Sequence, residues 1–524
     1  MSGADPPLAR GTILALVAMA LGVFLVANDF TALSVALPNI ESDFDSDVST
    51  VQWVINGYAL VFGVMIVTGG RLADIFGRRR MFFAGAGIFA AFSAIAAVAP
   101  SLGVLLSARA LMGVGGALMW PAVLGMTFAT LPAEKAGLAG GLILGVAGLG
   151  NAFGPLLGGL LTDALSWRWV FAVNLPVAAF AVYVTWREIR EPAAGDRTER
   201  IDGAGVATLS IALVALLLAL DEVTSLGWGD PPVVGLLALS AAAMAAFVAV
   251  ERRMDASALV PRDVIRSREF AAACVAVLVT AGTFFASLLY LPQFFQKLLD
   301  ASALEAGLAL LPLMATFAVV SFVAGWLYGR LGAKPILSAG AGLIVAGIVL
   351  LSFVPTDAGY ATTVPGMIVL GTGFGLFVST ITTAAVTALD ASRASLGGAI
   401  LYMFQVAGGS VGLAVTTTIF ARASQAQLSS DLATLGGRAS EQDVHDVQGI
   451  LAGTDSGQRV AEQLPSQAAQ IEQLVRDAFV HGMHVAFRVD GALALVGAIV
   501  TVLFVGGALR LRHAAIDDAA GVSG

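Results

Sequence analysis

The sequence predicts an all-α polytopic membrane protein: fourteen transmembrane helices, arranged as two six-helix halves plus two inserted helices. Three observations predict it. Of the 524 residues 58% are hydrophobic and 12% charged, against about 25% charged in soluble domains. The apolar runs approach or exceed the roughly 20 residues that cross a bilayer as helix, and they lack the ten-residue alternation of an outer-membrane barrel. The third observation is an internal repeat.

Runs bounded by charges or turn residues place the spans, in order, at 11–37, 50–70, 81–99, 102–128, 137–162, 168–186, 203–220, 232–250, 270–292, 304–328, 335–354, 362–386, 396–420 and 488–509. The first run is too long for a signal-peptide core and is read as a retained helix. An even count puts both termini on one side. With that side cytoplasmic, 20 of the 28 Lys and Arg fall in cytoplasmic segments, and the short external loops hold only Arg168 and Lys297, with Arg488 at a helix edge. The domains expected are 1–190, the first six helices; 191–255, the two inserted helices; and 256–524, the second six. The last contains a long polar external loop at about 421–487. Its final part, "IEQLVRDAFVHGMHVAF", has apolar residues at helical spacing and reads as a lead-in to the last helix along the outer surface.

The repeat is visible in three places. "GGRLADIFGRRR" at 69–80 matches "AGWLYGRLGAKP" at 324–335, Gly70 falling on Gly325. "ALPNI" matches "YLPQF", Pro38 on Pro292, and "MGVGG" matches "LGTGF", Gly113 on Gly371. The offsets are 255, 254 and 258. Paired halves of this kind, rocking about a midplane site, are how many secondary transporters work.

In the first half, two ionisable residues stand well inside apolar spans, Asp29 in the first and Arg109 in the fourth. Charges at that depth are costly and are neutralised, paired or used; Arg109 also has the option of snorkelling outward. Their repeat counterparts are Thr283 and Met367, both uncharged, so the embedded charge is concentrated in the first half. "GLILGVAGLGNAFGPLLGGLL" in span five carries Gly145, Gly150, Gly154, Gly158 and Gly159 at three- to five-residue spacing, with Pro155 interrupting the helix. Small residues let helices pack closely and proline frees a backbone carbonyl.

These stretches resemble the major facilitator superfamily. "GGRLADIFGRRR" is similar to its cytoplasmic loop motif, G-x-L-A-D-x-x-G-R-[RK]. The resemblance implies a cytoplasmic gate formed by Gly70, Arg71, Asp74, Gly77, Arg78 and Arg79, joined by Arg330 from the second copy, where Gly329 replaces the acid. The glycines and Pro155 of span five resemble the superfamily's antiporter motif, G-x8-G-P-x2-G-G. "LSARALMG" resembles L-x-x-R-x-x-Q-G, with Met112 in place of Gln, and "DFTALSVALP" resembles the D-x-T-x-x-N-V-A-L-P motif of the fourteen-helix drug:proton antiporters, with Ser34 in place of Asn.

The function implied is proton-coupled export of lipophilic or amphipathic compounds by alternating access, with Asp29 and Arg109 as the proton-coupling pair. Alternatives are export of an endogenous lipid, siderophore or antibiotic, and nutrient uptake with protons, which the Gly-Pro motif disfavours. Candidates for substrate contact, by position, are Trp53, Tyr58, Phe285, Tyr290, Phe294, Tyr402 and Gln405. Asp221 and Glu222 read as a solvated helix end. The partners expected are small lipophilic molecules, protons and the lipid bilayer, with no nucleic acid and a functional monomer, in a bacterial inner membrane. An enzyme is not expected: no span shows a histidine, a nucleophile cluster or paired acids. No metal site is expected from His481 and His484 alone, and no cofactor, the proton gradient being the energy source. No G-x4-G-K-[ST] pattern for ATP occurs.

Overall fold

The computed structural model describes residues 10–46, 48–132, 135–189, 202–254, 258–434 and 468–505. Among these residues, fourteen helices are long and apolar enough to cross a membrane. They are α1 (Arg10–Ala32), α2 (Thr50–Phe76), α3 (Arg78–Ala97), α4 (Leu102–Thr130), α5 (Ala136–Ala164), α6 (Arg168–Glu188), α7 (Gly203–Val223), α8 (Pro231–Arg253), α9 (Arg268–Leu298), α10 (Leu304–Leu331), α11 (Ala333–Leu351), α12 (Tyr360–Thr387), α13 (Ala391–Leu432) and α14 (Gln470–Phe504). The face at which α1 begins, expected to be cytoplasmic, is called the inner face below.

Three boundaries differ from expectation. The first span stops at Ala32, and after a turn a short amphipathic helix, Leu37–Phe44, starts with Pro38 in its first turn, where the missing N–H costs nothing. The ninth span runs through Pro292 to Leu298. Within the expected loop at 421–487 both described ends are helical: α13 continues as helix to Thr434, and the last helix starts at Ala468 and runs unbroken to Phe504. The lead-in sequence is therefore part of the final rod instead of a segment lying along the surface, and His481 and His484 fall inside it. Falling hydropathy marks where a helix leaves lipid, not where it ends. The remainder, 435–467, and the expected domain boundaries at 190 and 255 lie outside the described residues.

The repeat is repeated in packing. Within the first half α1 packs on α5, and α2 and α3 pack on α4; within the second, α9 packs on α13, and α10 and α11 on α12. The α2–α3 turn is made by Gly77 at φ 106° and the α10–α11 turn by Gly332 at φ 74°. Both lie in the left-handed region that favours glycine, at positions the sequence repeat superimposes. The halves meet along α5–α10 and α2–α13, while α7 joins α8 and lies against α2 and α13. The α5–α10 seam needs small residues: a Cβ at Gly141 would stand 2.7 Å from the Ser321 carbonyl.

Candidate functional site

The inner face is held shut by the turn after α2. Asp74 accepts hydrogen bonds from the backbone N–H groups of Ser395 (3.3 Å) and Leu396 (2.9 Å). Those N–H groups belong to the first turns of α13, where unpaired donors and the helix dipole favour an anion. Arg78 donates to Asp74 Oδ1 from Nε (3.3 Å) and Nη2 (3.2 Å), and reaches the carbonyls of Gly125 (3.0 Å) and Ala391 (2.6 Å). One buried carboxylate thus ties the first half to the second. Gly70 allows the approach, since a Cβ there would lie 2.6 Å from that of Ala399. Gly77 makes the turn, Arg71 is buried within electrostatic reach of Glu251, and Arg79 donates to the Trp186 carbonyl at 2.7 Å. Arg330 is not brought into this cluster; it is exposed and stacks 3.8 Å from the Trp326 ring centroid.

In α5 the motif glycines serve two partners. Gly145 faces Phe322 of α10, whereas Gly150, Gly154 and Gly158 receive α1 at Ala27, Thr31 and Ala32. Gly159 has more room, with Leu304 and Val35 at 3.5 Å. Pro155 has no N–H, so the Asn151 carbonyl one turn earlier loses its helical partner. Thr31 supplies a replacement, its hydroxyl donating to that carbonyl at 3.1 Å. A side chain at Gly154 would occupy the place of the Thr31 hydroxyl.

Two residues before Thr31, Asp29 is 1% exposed and Arg109 is fully buried. Arg109 turns inward instead of snorkelling and forms an ion pair with Asp29 through Nη1. Its Nε donates to the Val54 carbonyl of α2 at 2.7 Å, and its guanidinium carbon lies 4.3 Å from the Tyr58 ring centroid. Asn174 of α6 donates to the other carboxylate oxygen at 3.4 Å and to Ser93 at 3.1 Å. Met112, where the motif has Gln, places its sulfur 4.0 Å from Arg109 Nη1. Arg109 therefore links α1, α2 and α4, while Asp29 adds α6. The pair lies in the outer half of the helices, three residues from the end of α1.

Beside this network lies a central cavity of about 330 Å³. Phe30 lines it and Tyr58 packs edge-on behind Phe30 at 4.8 Å, so these two rings separate cavity from ion pair. Of the sequence candidates, Phe285, Tyr402 and Gln405 line the cavity. Trp53 lines a second compartment of about 260 Å³ toward the outer face, together with Asn56 and Asp221 of α7. Asp221 is thus turned toward a compartment, within 3.3 Å of the Asn56 amide. The compartments share Ala59, Val406 and Ser410. Tyr290 and Phe294 are placed elsewhere: Tyr290 packs on Phe420 and Phe487, and Phe294 on Phe295. Sequence reasoning missed Trp120, Phe284, Phe317, Phe374 and Phe377 in the cavity wall, and Asn151 among its polar groups. An aromatic ring facing a cavity and one facing lipid carry the same sequence signal.

At the outer face Asp43 of the short helix accepts from Arg168 at 2.6 Å and Trp167 at 3.2 Å, joining it to the start of α6. The hydrogen bond from Arg168 holds the Asp43 carboxyl below its usual range.

Residues 19–413 match the sequence pattern of the Major Facilitator Superfamily. The tetracenomycin C resistance and export protein of Streptomyces glaucescens is 32% identical over 513 residues, 96% of this chain and 92% of its own. The puromycin resistance protein pur8 of Streptomyces alboniger is 35% identical over 432 residues, 81% of this chain and 84% of its own. In fold, the chain is similar to the crystal structure of the human organic anion transporter MFSD10 (TETRAN), with a TM-score of 0.59 and 13% identity, over 95% of this chain and 100% of that one.

Proposed function

The chain belongs to the major facilitator superfamily and is a multi-pass membrane transporter, and we propose that it exports lipophilic or amphipathic compounds from a bacterial cytoplasm across the inner membrane in exchange for protons. The observation that carries this is the Asp29–Arg109 pair lodged behind the wall of an apolar cavity. The relatives named for resistance and export support the direction of transport.

The coupling follows from charge. While Asp29 is ionised, its pairing with Arg109 holds α1 against α4, and Arg109 in turn holds α2 through Val54. A proton arriving from the outer face neutralises the carboxyl and leaves Arg109 buried without its counter-ion, which is strongly unfavourable. Relief requires α1 or α4 to move. Because α1 is seated on the glycines of α5, and α5 forms the seam with α10, that movement reaches the interface between the halves. Phe30 and Tyr58 connect the pair to the cavity, so a bound substrate pressing on Phe30 acts on the same residues. In the conformation described, Asp74 closes the inner face and the second compartment extends the cavity outward, as expected after substrate has been carried through.

A second reading keeps the mechanism and makes the cargo an endogenous antibiotic or similar aromatic product; the phenylalanine-lined cavity suits flat aromatic molecules of either origin. The test uses everted vesicles loaded with a pH-sensitive dye. Adding ethidium is expected to release protons from vesicles containing the protein and not from controls lacking it. Ethidium accumulation without proton movement would contradict antiport.

A further inference from the structure

The second half contains a buried acid that the coupling scheme above does not use. Asp490 lies inside α14, fully buried, between α9, α11 and α13. The last span was expected to begin at 488, two residues before it, with Arg488 at the helix edge. Since the last helix begins at Ala468, the residue is 22 positions in (490 − 468).

Its surroundings hold no counter-ion among the described residues. From α13 it meets Thr416, whose hydroxyl oxygen lies 2.7 Å from Asp490 Oδ1. From α9, Thr283 donates to the Asp490 main-chain carbonyl at 3.3 Å, and Tyr290 is the titratable group within electrostatic reach. From α11, Ile348 and Val349 stand beside the neighbouring Gly491. The basic residues nearest in α14 are engaged elsewhere: Arg488 lies over the Phe353 ring, His484 meets the Val354 carbonyl, and farther off Arg476 pairs with Asp300 and Glu472. Asp490 Oδ2 has no hydrogen-bond partner among the described residues.

The Thr416 hydroxyl lies between two acceptors and favours a protonated Asp490. It is also 2.8 Å from the carbonyl of Gly412, which can only accept. A hydroxyl has one proton to donate. Both short contacts are satisfied when Thr416 donates to Gly412 and a protonated Asp490 donates to Thr416. An ionised Asp490 would pull the Thr416 proton away from Gly412 and still leave one charged oxygen bare in an apolar setting, a costly state.

The placement repeats the first half with roles exchanged. There the acid, Asp29, is on the first helix of the half and meets Asn174 on the sixth. Here the acid is on the sixth helix, and its main-chain carbonyl, not its carboxyl, accepts from Thr283 on the first, at the repeat position of Asp29. We propose that Asp490 is a second proton-binding site, in the C-terminal half, loaded in this conformation and emptied when α9, α13 and α14 separate enough to admit water or a cation. Its part in transport rests on the antiport reading above; its proton binding does not.

The test is infrared spectroscopy of the purified full chain in detergent, following the carbonyl stretch of protonated carboxyls as pH rises from about 5 to about 10. Wild type is expected to show a band that fades with pH, absent from Asp490→Asn and shifted in frequency in Asp490→Glu. The Glu variant makes the assignment should the Asn variant fail to fold. A band that is unchanged across the range would make Asp490 a permanently neutral tie between helices, and no band at low pH would make it permanently ionised; either overturns the proposal. In proteoliposomes, the protons exchanged per ethidium are expected to fall by one in Asp490→Asn, and an unchanged ratio overturns the role in transport. If wild type moves ethidium with no proton exchange, the antiport reading fails, and the infrared result judges Asp490 independently.

Discussion

The hydroxyl of Thr31 donates to the main-chain carbonyl of Asn151, the group that Pro155 leaves without a helical partner. Two motifs far apart in sequence are one structural unit. The threonine two residues after Asp29 repairs the break that the proline makes in α5, and Gly154 provides the space. The acid proposed to bind protons is thereby tied to the helix that forms the seam between the halves.

Thr31→Val keeps the shape and removes the donor, leaving a carbonyl in an apolar setting unpaired at a cost of about 1–3 kcal/mol. The purified variant should melt several degrees lower than wild type, and Thr31→Ser should recover most of the loss. Equal melting temperatures for Val and Ser variants would contradict the role given to this bond.

Asp74→Asn keeps a hydrogen-bonding group at the start of α13 but removes the charge that Arg78 and the helix terminus favour. Charge-assisted bonds exceed neutral ones by about 1 kcal/mol or more, so opening of the inner face should become about five- to tenfold more frequent. Thr383 of α12 packs against Gly140 of α5, so a Thr383→Cys reporter, with the single native cysteine replaced (Cys274→Ser), should be labelled faster from the inner side. An unchanged labelling rate would argue against the latch.

Tyr402 packs on Trp120 at 4.7 Å between ring centroids and lines the cavity. Loss of one aromatic contact is worth about 0.5–1.5 kcal/mol, so Tyr402→Ala should raise the KM for ethidium about two- to tenfold with kcat nearly unchanged. A fall in kcat at constant KM would remove Tyr402 from the substrate wall.

The Asp43–Arg168 pair gives a pH dependence with a definite sign. The Asp43 carboxyl titrates below its ordinary 3.8 in the folded protein. Its contribution is therefore present above pH 3.8 and lost as pH falls through the lower folded value. The pair is partly solvent-exposed, which limits the effect to about 0.5 kcal/mol. Asp43→Asn should flatten the acid limb of the stability profile slightly and leave stability near pH 7 reduced by a similar small amount.

The helix count and the repeat were legible because both depend on chain-local quantities, the length of apolar runs and the recurrence of Gly and Pro. The two turn glycines, Gly77 and Gly332, follow from the repeat alone. Contacts between helices were not legible in the same way. Nothing in the spacing of Asp29 and Arg109 says which face of α1 meets α4, although the cost of an unpaired buried charge favours their meeting. Asp490 was missed because hydropathy marks where α14 enters lipid, whereas the helix starts 22 residues before the acid. Arg330 was expected in the gate by its repeat position; its place on Trp326 follows from the missing second acid, Gly329 having nothing to offer a cation.

The central claim is that Asp29 couples proton entry to substrate exit, and ethidium transport by Asp29→Asn in proteoliposomes tests it most directly. Exchange of ethidium for ethidium, which needs no net proton movement, should persist in the variant. Accumulation driven by a proton gradient should be lost in Asp29→Asn and partly restored in Asp29→Glu. Gradient-driven accumulation at the wild-type rate in Asp29→Asn would contradict the account and make the Asp29–Arg109 pair a tie between helices.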